Sequence, residues 1–422
     1  MDYLPAEFFT LEDVDPADKT IFLRIDVNSP INPETGEIIG SSRFFSHIDT
    51  INSLVNSRVV LLAHQSRPGK EDFTSLDRHA LTMQRILGRT VDFEDSLFSA
   101  SAIERIRKMS NGDILMLENT RFYSEEVSID YDLEVMEGTS IVRKLSPLMD
   151  LFVNDAFPSI HRAQTTLVGF QRVVPNISGK LIEREIRSLD RFLKGKESPK
   201  VAVLAGAKIN ESISVAKNFL ESGSVDRIIT GGVVANAFLW ASGKQIGKKN
   251  EEFIVKNNKN HQELIKICKK LLEKHATQIS MPVDFVMKPS GKRVESGSKV
   301  PDDQVLADVG VDTIVQYIDE IREAGSIFLN GPIGMYEIEN YSIGTSEIFR
   351  AIANHGGLRI AGGGHTLSAL EMLGLLREFN HASTGGGALI SYLSGETMPV
   401  LEALKASKKY FDGNADGKRS ES

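Results

Sequence analysis

Cysteine is almost absent: Cys268 is the only one in 422 residues. An intrachain disulfide is therefore excluded, and a reducing compartment fits. Cys268 lies in Ile265–Leu272, an amphipathic helical pattern with several lysines, where an inert thiol is expected rather than a nucleophile. No paired Cys-x-x-Cys and no His-Glu-x-x-His occurs, which removes the usual structural and hydrolytic zinc sites. Two nucleotide signatures are also missing: Gly-x-x-x-x-Gly-Lys-Ser/Thr, and Gly-x-Gly-x-x-Gly after a strand. No apolar run is long enough to span a bilayer. Met1–Asp18 is acidic and lacks the basic start and apolar stretch of a secretory signal, so the expected location is the cytoplasm. Positive charge is not in excess either. A net charge of −8 with both signs interspersed argues against nucleic acid as the main partner, while a small anion needs only a local basic pocket.

What is present is ordinary in bulk, with 41% hydrophobic and 25% charged residues, and the length suffices for two domains with real cores. Short β-branched runs alternate with longer helical patterns. The strand candidates are Thr20–Asp26, Arg58–His64, Asp113–Glu118 and Asp150–Asp155, then Lys200–Ala205, Asp226–Thr230, Ser326–Asn330 and Leu358–Ala361. Helical patterns include Arg78–Leu87, Val215–Leu220, His261–Lys274 and Val311–Ala324. Such alternation predicts an α/β fold with two doubly wound parallel sheets, whose ligands bind beyond the carboxyl ends of the strands. The apolar stripe at 182, 186, 189 and 193, flanked by Gly179 and Gly195, reads as a helix. Both a surface helix and an interdomain helix fit it. Ile31–Ile39 reads as a hairpin, and Asp412–Ser422 as a polar, unstructured tail.

The two halves carry different chemistry at their strand ends. In the first half these are Arg24-Ile25-Asp26-Val27-Asn28, His64-Gln65-Ser66-Arg67-Pro68, Glu118-Asn119-Thr120-Arg121-Phe122 and Asn154-Asp155-Ala156-Phe157 with His161-Arg162. Any one arginine reads as a solvated loop residue, but four strand ends each supplying one suit a small anion held by guanidinium groups. Asp155 reads first as a turn or helix cap. Arg43 lies in a helical pattern running to Leu54 and alone reads as a surface residue. The second half carries Gly206-Ala207-Lys208, Gly231-Gly232, Asn330-Gly331-Pro332-Ile333-Gly334 with Glu337, Gly362-Gly363-Gly364-His365-Thr366 and Thr384-Gly385-Gly386-Gly387. Glycines at helix starts suit phosphates approached by backbone N–H groups. One anionic partner for each half suggests a group passed between them.

In this order, these motifs resemble the phosphoglycerate kinase family over nearly the whole chain, in its archaeal form. The resemblance implies a phosphotransferase with a carboxyl group as acceptor: reversible transfer between 1,3-bisphosphoglycerate and ADP, with Mg²⁺, giving 3-phosphoglycerate and ATP. It implies that residues 1–178 bind the glycerate ligand through Arg24, Asp26, Asn28, Arg43, His64, Gln65, Ser66, Arg67, Arg121 and Arg162. Residues 179–195 would form the hinge helix. Residues 196–411 would bind nucleotide through Gly206, Lys208, Asn330, Glu337, Gly363, Gly364, His365, Thr366, Thr384, Gly385 and Gly386. Arg43, Lys208, Gly364 and Gly387 would serve the transfer itself, and the domains would close around the filled sites. Three positions depart from the commoner pattern: Ser212 replaces a second lysine, His365 a metal-associated aspartate, and Gln164 a histidine. The two changes in the nucleotide half's motifs, Ser212 and His365, resemble the archaeal members, and no residue is assigned to the metal. A monomer is the default, with a dimer open. A kinase acting on another small acid, or a catalytically silent relative, is the alternative.

Overall fold

The computed structural model describes residues 7–32, 34–129 and 131–415. They divide into two compact units, one running to Arg187 and resuming at Thr397, the other spanning Ser188–Glu396. Among the described residues no helix is long and apolar enough to cross a membrane.

The first unit is built on seven strands: β1 (Phe9–Thr10), β2 (Thr20–Arg24), β3 (Arg58–Leu62), β4 (Asp92–Glu94), β5 (Ile114–Leu117), β6 (Leu151–Asn154) and β7 (Asn176–Ser178). Their order across the sheet is β1-β7-β6-β2-β3-β5-β4, and every pairing is parallel. The strands are continuous apolar runs because both faces are covered. Ile21, Leu23, Val59 and Leu61 pack on one face with Ile51, Ala80 and Met83 from helices, while the alternate residues Phe22, Val60 and Leu62 pack on the other with Ile106, Ile141 and Leu145. The chain winds outward from β2 through β3 and then returns to β6 on the other side, so the order reverses between β2 and β6.

The second unit has six parallel strands: β8 (Lys200–Leu204), β9 (Arg227–Thr230), β10 (Ile279–Ser280), β14 (Ser326–Asn330), β15 (Leu358–Gly362) and β16 (His381–Ser383), ordered β10-β9-β8-β14-β15-β16. Here the reversal falls between β8 and β14. The eight expected strands are all present, shortened by up to two residues at either end except that β15 gains Gly362. A three-stranded antiparallel sheet was not anticipated: β11 (Asp284–Lys288), β12 (Arg293–Glu295) and β13 (Val305–Val309), in the order β12-β11-β13. Its segments mix charged and apolar residues and carry no helix between them, so the parallel-sheet pattern passes over them. Ile31 and Ile38 form the antiparallel bridge of the expected hairpin.

Cys268 is buried and its thiol is pushed up to about 12 by burial, as an inert core thiol should be. The helix expected around 181–193 runs Lys180–Lys194, and the boundary between the units falls inside it. Its start is held by Asp155, whose Oδ1 accepts from Leu181 N at 2.9 Å, so the capping reading of Asp155 applies. Its later residue Phe192 packs with Phe219 and Phe328 of the second unit.

The chain's last stretch departs from expectation. Residues 397–411, assigned to the second domain, belong to the first unit. The helix Pro399–Ala415 packs against β7, β1 and the short helix Thr165–Val168. Val400, Leu401 and Leu404 are buried, Val400 N donates to Ile160 O at 3.2 Å, and Ser407 Oγ accepts from Asn176 N at 2.9 Å. The helix also takes in 412–415 of the expected tail; residues 416–422 lie outside the described residues.

Asp308, in β13, is a buried carboxyl that ties this small sheet to the helix Ile343–Ala353. Its oxygens accept from Val309 N at 2.9 Å and Gly344 N at 2.8 Å. Burial nevertheless pushes its pKa up to about 7, with these backbone bonds opposing.

Two outcomes are expected. A chain ending at Glu396 should lose on the order of 5 kcal/mol of first-unit stability, from burial of Val400, Leu401 and Leu404 at about 1.5–3 kcal/mol each; an unchanged urea transition would show that the helix is an ornament. Asp308 is protonated when folded up to about pH 7 but ionises near 3.8 when unfolded. Its contribution is therefore full below about pH 4 and is lost as pH rises through 7, by at most about 4 kcal/mol. Urea midpoints measured across that range should fall for the native chain, and the fall should be weaker in Asp308→Asn whatever that variant's baseline.

Candidate functional site

The reversal in the first sheet brings the ends of β2, β3 and β6 together, and Arg24, the last residue of β2, lies beneath them wholly shielded from solvent. A buried guanidinium cannot shed its proton and must be bonded. Arg24 Nε donates to Thr166 Oγ1 at 3.0 Å, Nη1 to Ile25 O at 2.6 Å, and Nη2 to His64 Nδ1 at 3.0 Å; the Glu126 carboxylate lies 3.8 Å away. Arginine only donates, so His64 Nδ1 accepts and the ring proton sits on Nε2. Burial lowers the His64 pKa well below its ordinary value; Asp26 opposes, while Arg24, Arg121 and Arg162 add to the fall. His64 is therefore a neutral donor held in one tautomer. Arg24, expected to grip the ligand, has its donors turned into the protein.

A second chain of bonds runs along the surface of this site. Asp26 Oδ1 accepts from Arg43 Nη1 at 2.7 Å and from Asn28 N at 3.1 Å, and Oδ2 accepts from Ser159 Oγ at 2.9 Å. Burial alone would raise the Asp26 pKa, but Arg43, His64, Ser159 and Arg24 hold it far below the usual range. Asn28 Oδ1 accepts from Ser66 N at 2.8 Å. Ser66 adopts a left-handed φ of 54°, which turns its carbonyl to accept from Arg121 Nη1. Arg121 Nη2 reaches Gln164 Oε1 at 3.5 Å, while its buried Nε has no partner. Burial and the neighbouring Arg162 and Arg24 lower the Arg121 pKa to about 10.

The remaining residues of the first-half motifs fall differently. Gln65 is buried with its amide spent on Ser29 N, Ser29 O and His79 Nε2, so it shapes the loop and does not face a ligand. Arg162 is exposed yet close enough to depress Arg24, His64 and Arg121. Arg67 is exposed, and no bond ties it to the cluster. Among the described residues, Asp26 and Glu126 are the carboxylates acting on Arg24, Arg43 and Arg121, with Arg162 close by, leaving positive charge for an anion to balance. Glu126, Thr166, His47 and Ser159 complete the network and were not read from the sequence. Glu126 accepts from Thr166 N and Oγ1, both at 2.7 Å, and His47 Nδ1 meets Asp155 Oδ2 at 2.7 Å. No pattern in the sequence marks them.

In the second unit the reversal between β8 and β14 opens a cavity of about 310 Å³. Gly206, Lys208, Asn330, Glu337, Gly363, Gly364, His365, Thr366 and Gly386 all border it, as does Ser212. Thr384, Gly385 and Gly387 do not: Gly385 N turns onto Ser383 Oγ at 3.2 Å and the residue is buried, so only Gly386 of that triplet reaches the cavity. Gly363 has a left-handed φ of 89°, and a Cβ there would fall on Asn330 Oδ1. Gly364 is different, since an added Cβ would meet no protein atom within 4 Å. Neither backbone shape nor packing requires glycine at 364; it opens the helix Gly364–Met372 toward the cavity. The helices Ile209–Glu221 and Gly232–Ala241 also start here, with Lys208 at the head of the first. Three helix N-termini and one ammonium make an anion cradle. Lys208 Nζ sits 3.4 Å from Glu211 Oε1 at the surface.

The rest of the wall is apolar: Phe253, Val305, Leu306, Ala307 and Met335. Asn236 interrupts it. This residue is 3% exposed, its Oδ1 has no hydrogen-bond partner, and its amide bonds to no described residue. Leaving a buried amide unpaired costs about 1–3 kcal/mol. Sequence reading missed it, although Asn236 is the lone amide in the helix Gly-Val-Val-Ala-Asn-Ala-Phe-Leu-Trp-Ala. Among the described residues no group of three His, Cys, Asp or Glu side chains could hold a metal ion.

Residues 11–396 match the family model described as phosphoglycerate kinase. A phosphoglycerate kinase of Thermoplasma acidophilum is 60% identical over 407 residues, covering 96% of this chain and all of the relative; one of Methanothermus fervidus is 43% identical over 412 residues, covering 96% and 99%. The crystal structure of phosphoglycerate kinase from Pyrococcus horikoshii OT3 is 39% identical and superposes with a TM-score of 0.85, covering 96% of this chain and 100% of that one. That of Coxiella burnetii is 29% identical with a TM-score of 0.78, covering 94% and 98%. With matches of this length over both sites, the chain belongs to the phosphoglycerate kinase family.

Proposed function

We propose that the two sites divide the family's reaction between them, the arginine cluster binding 3-phosphoglycerate or 1,3-bisphosphoglycerate and the cavity binding ADP or ATP. The reaction is reversible phosphoryl transfer. A β-phosphate oxygen of ADP attacks the acyl phosphate, the bond from phosphorus to the acyl oxygen breaks, and the carboxylate of 3-phosphoglycerate departs. No proton has to move in that step, and both nucleophile and leaving group belong to the substrates. Catalysis is then positioning and charge neutralisation, which arginines, a lysine and helix N-termini supply. The observation that carries the reading is the uncompensated guanidinium cluster, with the Arg121 Nε buried and unpaired.

Arg43 suits the neutralising role because it is anchored through Asp26 yet remains about one-third exposed. His64 offers its Nε2–H to a ligand hydroxyl or carboxylate, with Arg121 and Arg162 beside it. On the nucleotide side, Lys208 and the Gly364 amide take the phosphates, and Glu337 the ribose hydroxyls. Magnesium arrives as part of the nucleotide substrate. His365 borders the cavity where relatives of the commoner type carry an aspartate, and with no protein cage the ion would keep phosphate and water ligands.

Mg- and ATP-dependent turnover of 3-phosphoglycerate, coupled to NADH oxidation by glyceraldehyde-3-phosphate dehydrogenase, tests the reading directly. Arg43→Ala should lower kcat by roughly 10²-fold or more while the protein stays folded; near-native kcat would remove Arg43 from the transfer. Lys208→Ala should lower kcat likewise, whereas a change confined to the nucleotide KM would make Lys208 a ground-state binding group.

A further inference from the structure

The nucleotide cavity holds one feature that phosphate binding leaves unexplained. Asn236 presents a buried carboxamide with no partner, in an otherwise apolar helix whose hydrophobic neighbours would pack better against an aliphatic side chain. Its position along the cavity is informative. The helix Gly232–Ala241 begins against the phosphate cradle: Val233 N and Val234 N donate to Gly206 O at 3.0 and 3.2 Å. Asn236 is four residues beyond Gly232, about 6 Å along the axis. The same helix packs against β13 and the helix Lys248–Asn257, the elements that carry Val305, Leu306, Ala307 and Phe253. The amide therefore stands away from the phosphates, among apolar walls of the kind that stack on a flat ring.

The neighbouring polar groups are already committed. Asn250 donates to Ile246 O at 2.7 Å and accepts from Leu306 N at 3.1 Å, and Lys249 donates to Asp303 O at 2.8 Å. Asn236 is left as the wall's uncommitted hydrogen-bonding side chain. Its terminal torsion is soft, so the amide turns either end toward a ligand. We propose that Asn236 is the base-reading residue of this site, its carboxamide oxygen accepting a hydrogen bond from the 6-amino group of adenine while its N–H donates to the adjacent ring nitrogen. Side-chain carboxamides pair with adenine edges in this bidentate way. The inference rests on the nucleotide reading of the cavity.

The test is calorimetric binding of two ligands to the full-length protein: ADP, and the purine riboside diphosphate in which hydrogen replaces the 6-amino group. The native chain should bind ADP about tenfold or more tightly than the deamino analogue. In Asn236→Leu, ADP affinity should fall about tenfold while the analogue changes less than about threefold, bringing the ratio near one. A native ratio near one, or equal losses for both ligands in the variant, would overturn the role of Asn236. Should the variant fail to fold, the native ratio alone decides. No binding of ADP by the native chain would instead overturn the nucleotide reading of the cavity, so the two failures are distinct.

Discussion

A guanidinium sealed beneath the first sheet's reversal is the constraint on which the arginine cluster depends. Arg24 carries a charge it cannot lose, in a place water does not reach, so every donor must find an acceptor. Meeting that demand recruits Thr166, the carbonyl of Ile25, the ring of His64 and the carboxylate of Glu126. It also dictates which nitrogen of His64 bears the proton. The groups at the strand ends are thus oriented from behind, by bonds made within the protein. This is how positioning catalysis is built into a fold.

The second unit meets an anion by another route. Its positive charge comes mostly from the ends of helices, with the Lys208 ammonium beside them, and helix ends are useful only where the backbone can be approached. Gly364 meets that need by having nothing where a side chain would be. Gly331 and Gly363 serve a different purpose, since their loops press too closely on Ala205 and Asn330 for a Cβ. Glycines that look alike in sequence therefore divide into those with open space where a side chain would be and those pressed by the protein's own atoms. One site holds excess fixed charge and the other holds dipoles, which suits a small polyanion and a nucleotide respectively.

Much of this was legible beforehand. Strand runs such as Thr20–Arg24 and Ser326–Asn330 stand out because parallel strands buried on both faces are uniformly apolar. Arg121 and Lys208 draw notice as charges at a strand end and a helix start, whereas Arg43 gains weight only through the family resemblance. Other residues carried no such mark. Glu126 and His47 matter through partners roughly 40 and 108 positions away, Thr166 and Asp155, and nothing local announces such a pairing. Arg24 and Gln65 carried the marks of ligand contacts, yet the fold turned both inward. Asn236 had a signal, a lone amide in an apolar helix, whose meaning appeared only once the cavity beside it was known.

The helix Pro399–Ala415 shows the same division. Its apolar positions specify that one face must be buried, but not against which sheet; β7 and Ser407, paired through Asn176, decided that. The sequence by itself determined two parallel-sheet units, the strand ends where chemistry gathers and the opposite character of the two halves, because these follow from local periodicity and residue type. The tertiary structure alone decided which arginine is exposed and which is buried, which nitrogen of His64 is protonated, which glycines border the cavity and where the last helix docks. Those depend on groups brought together by the reversal of strand order, at separations that no local pattern encodes.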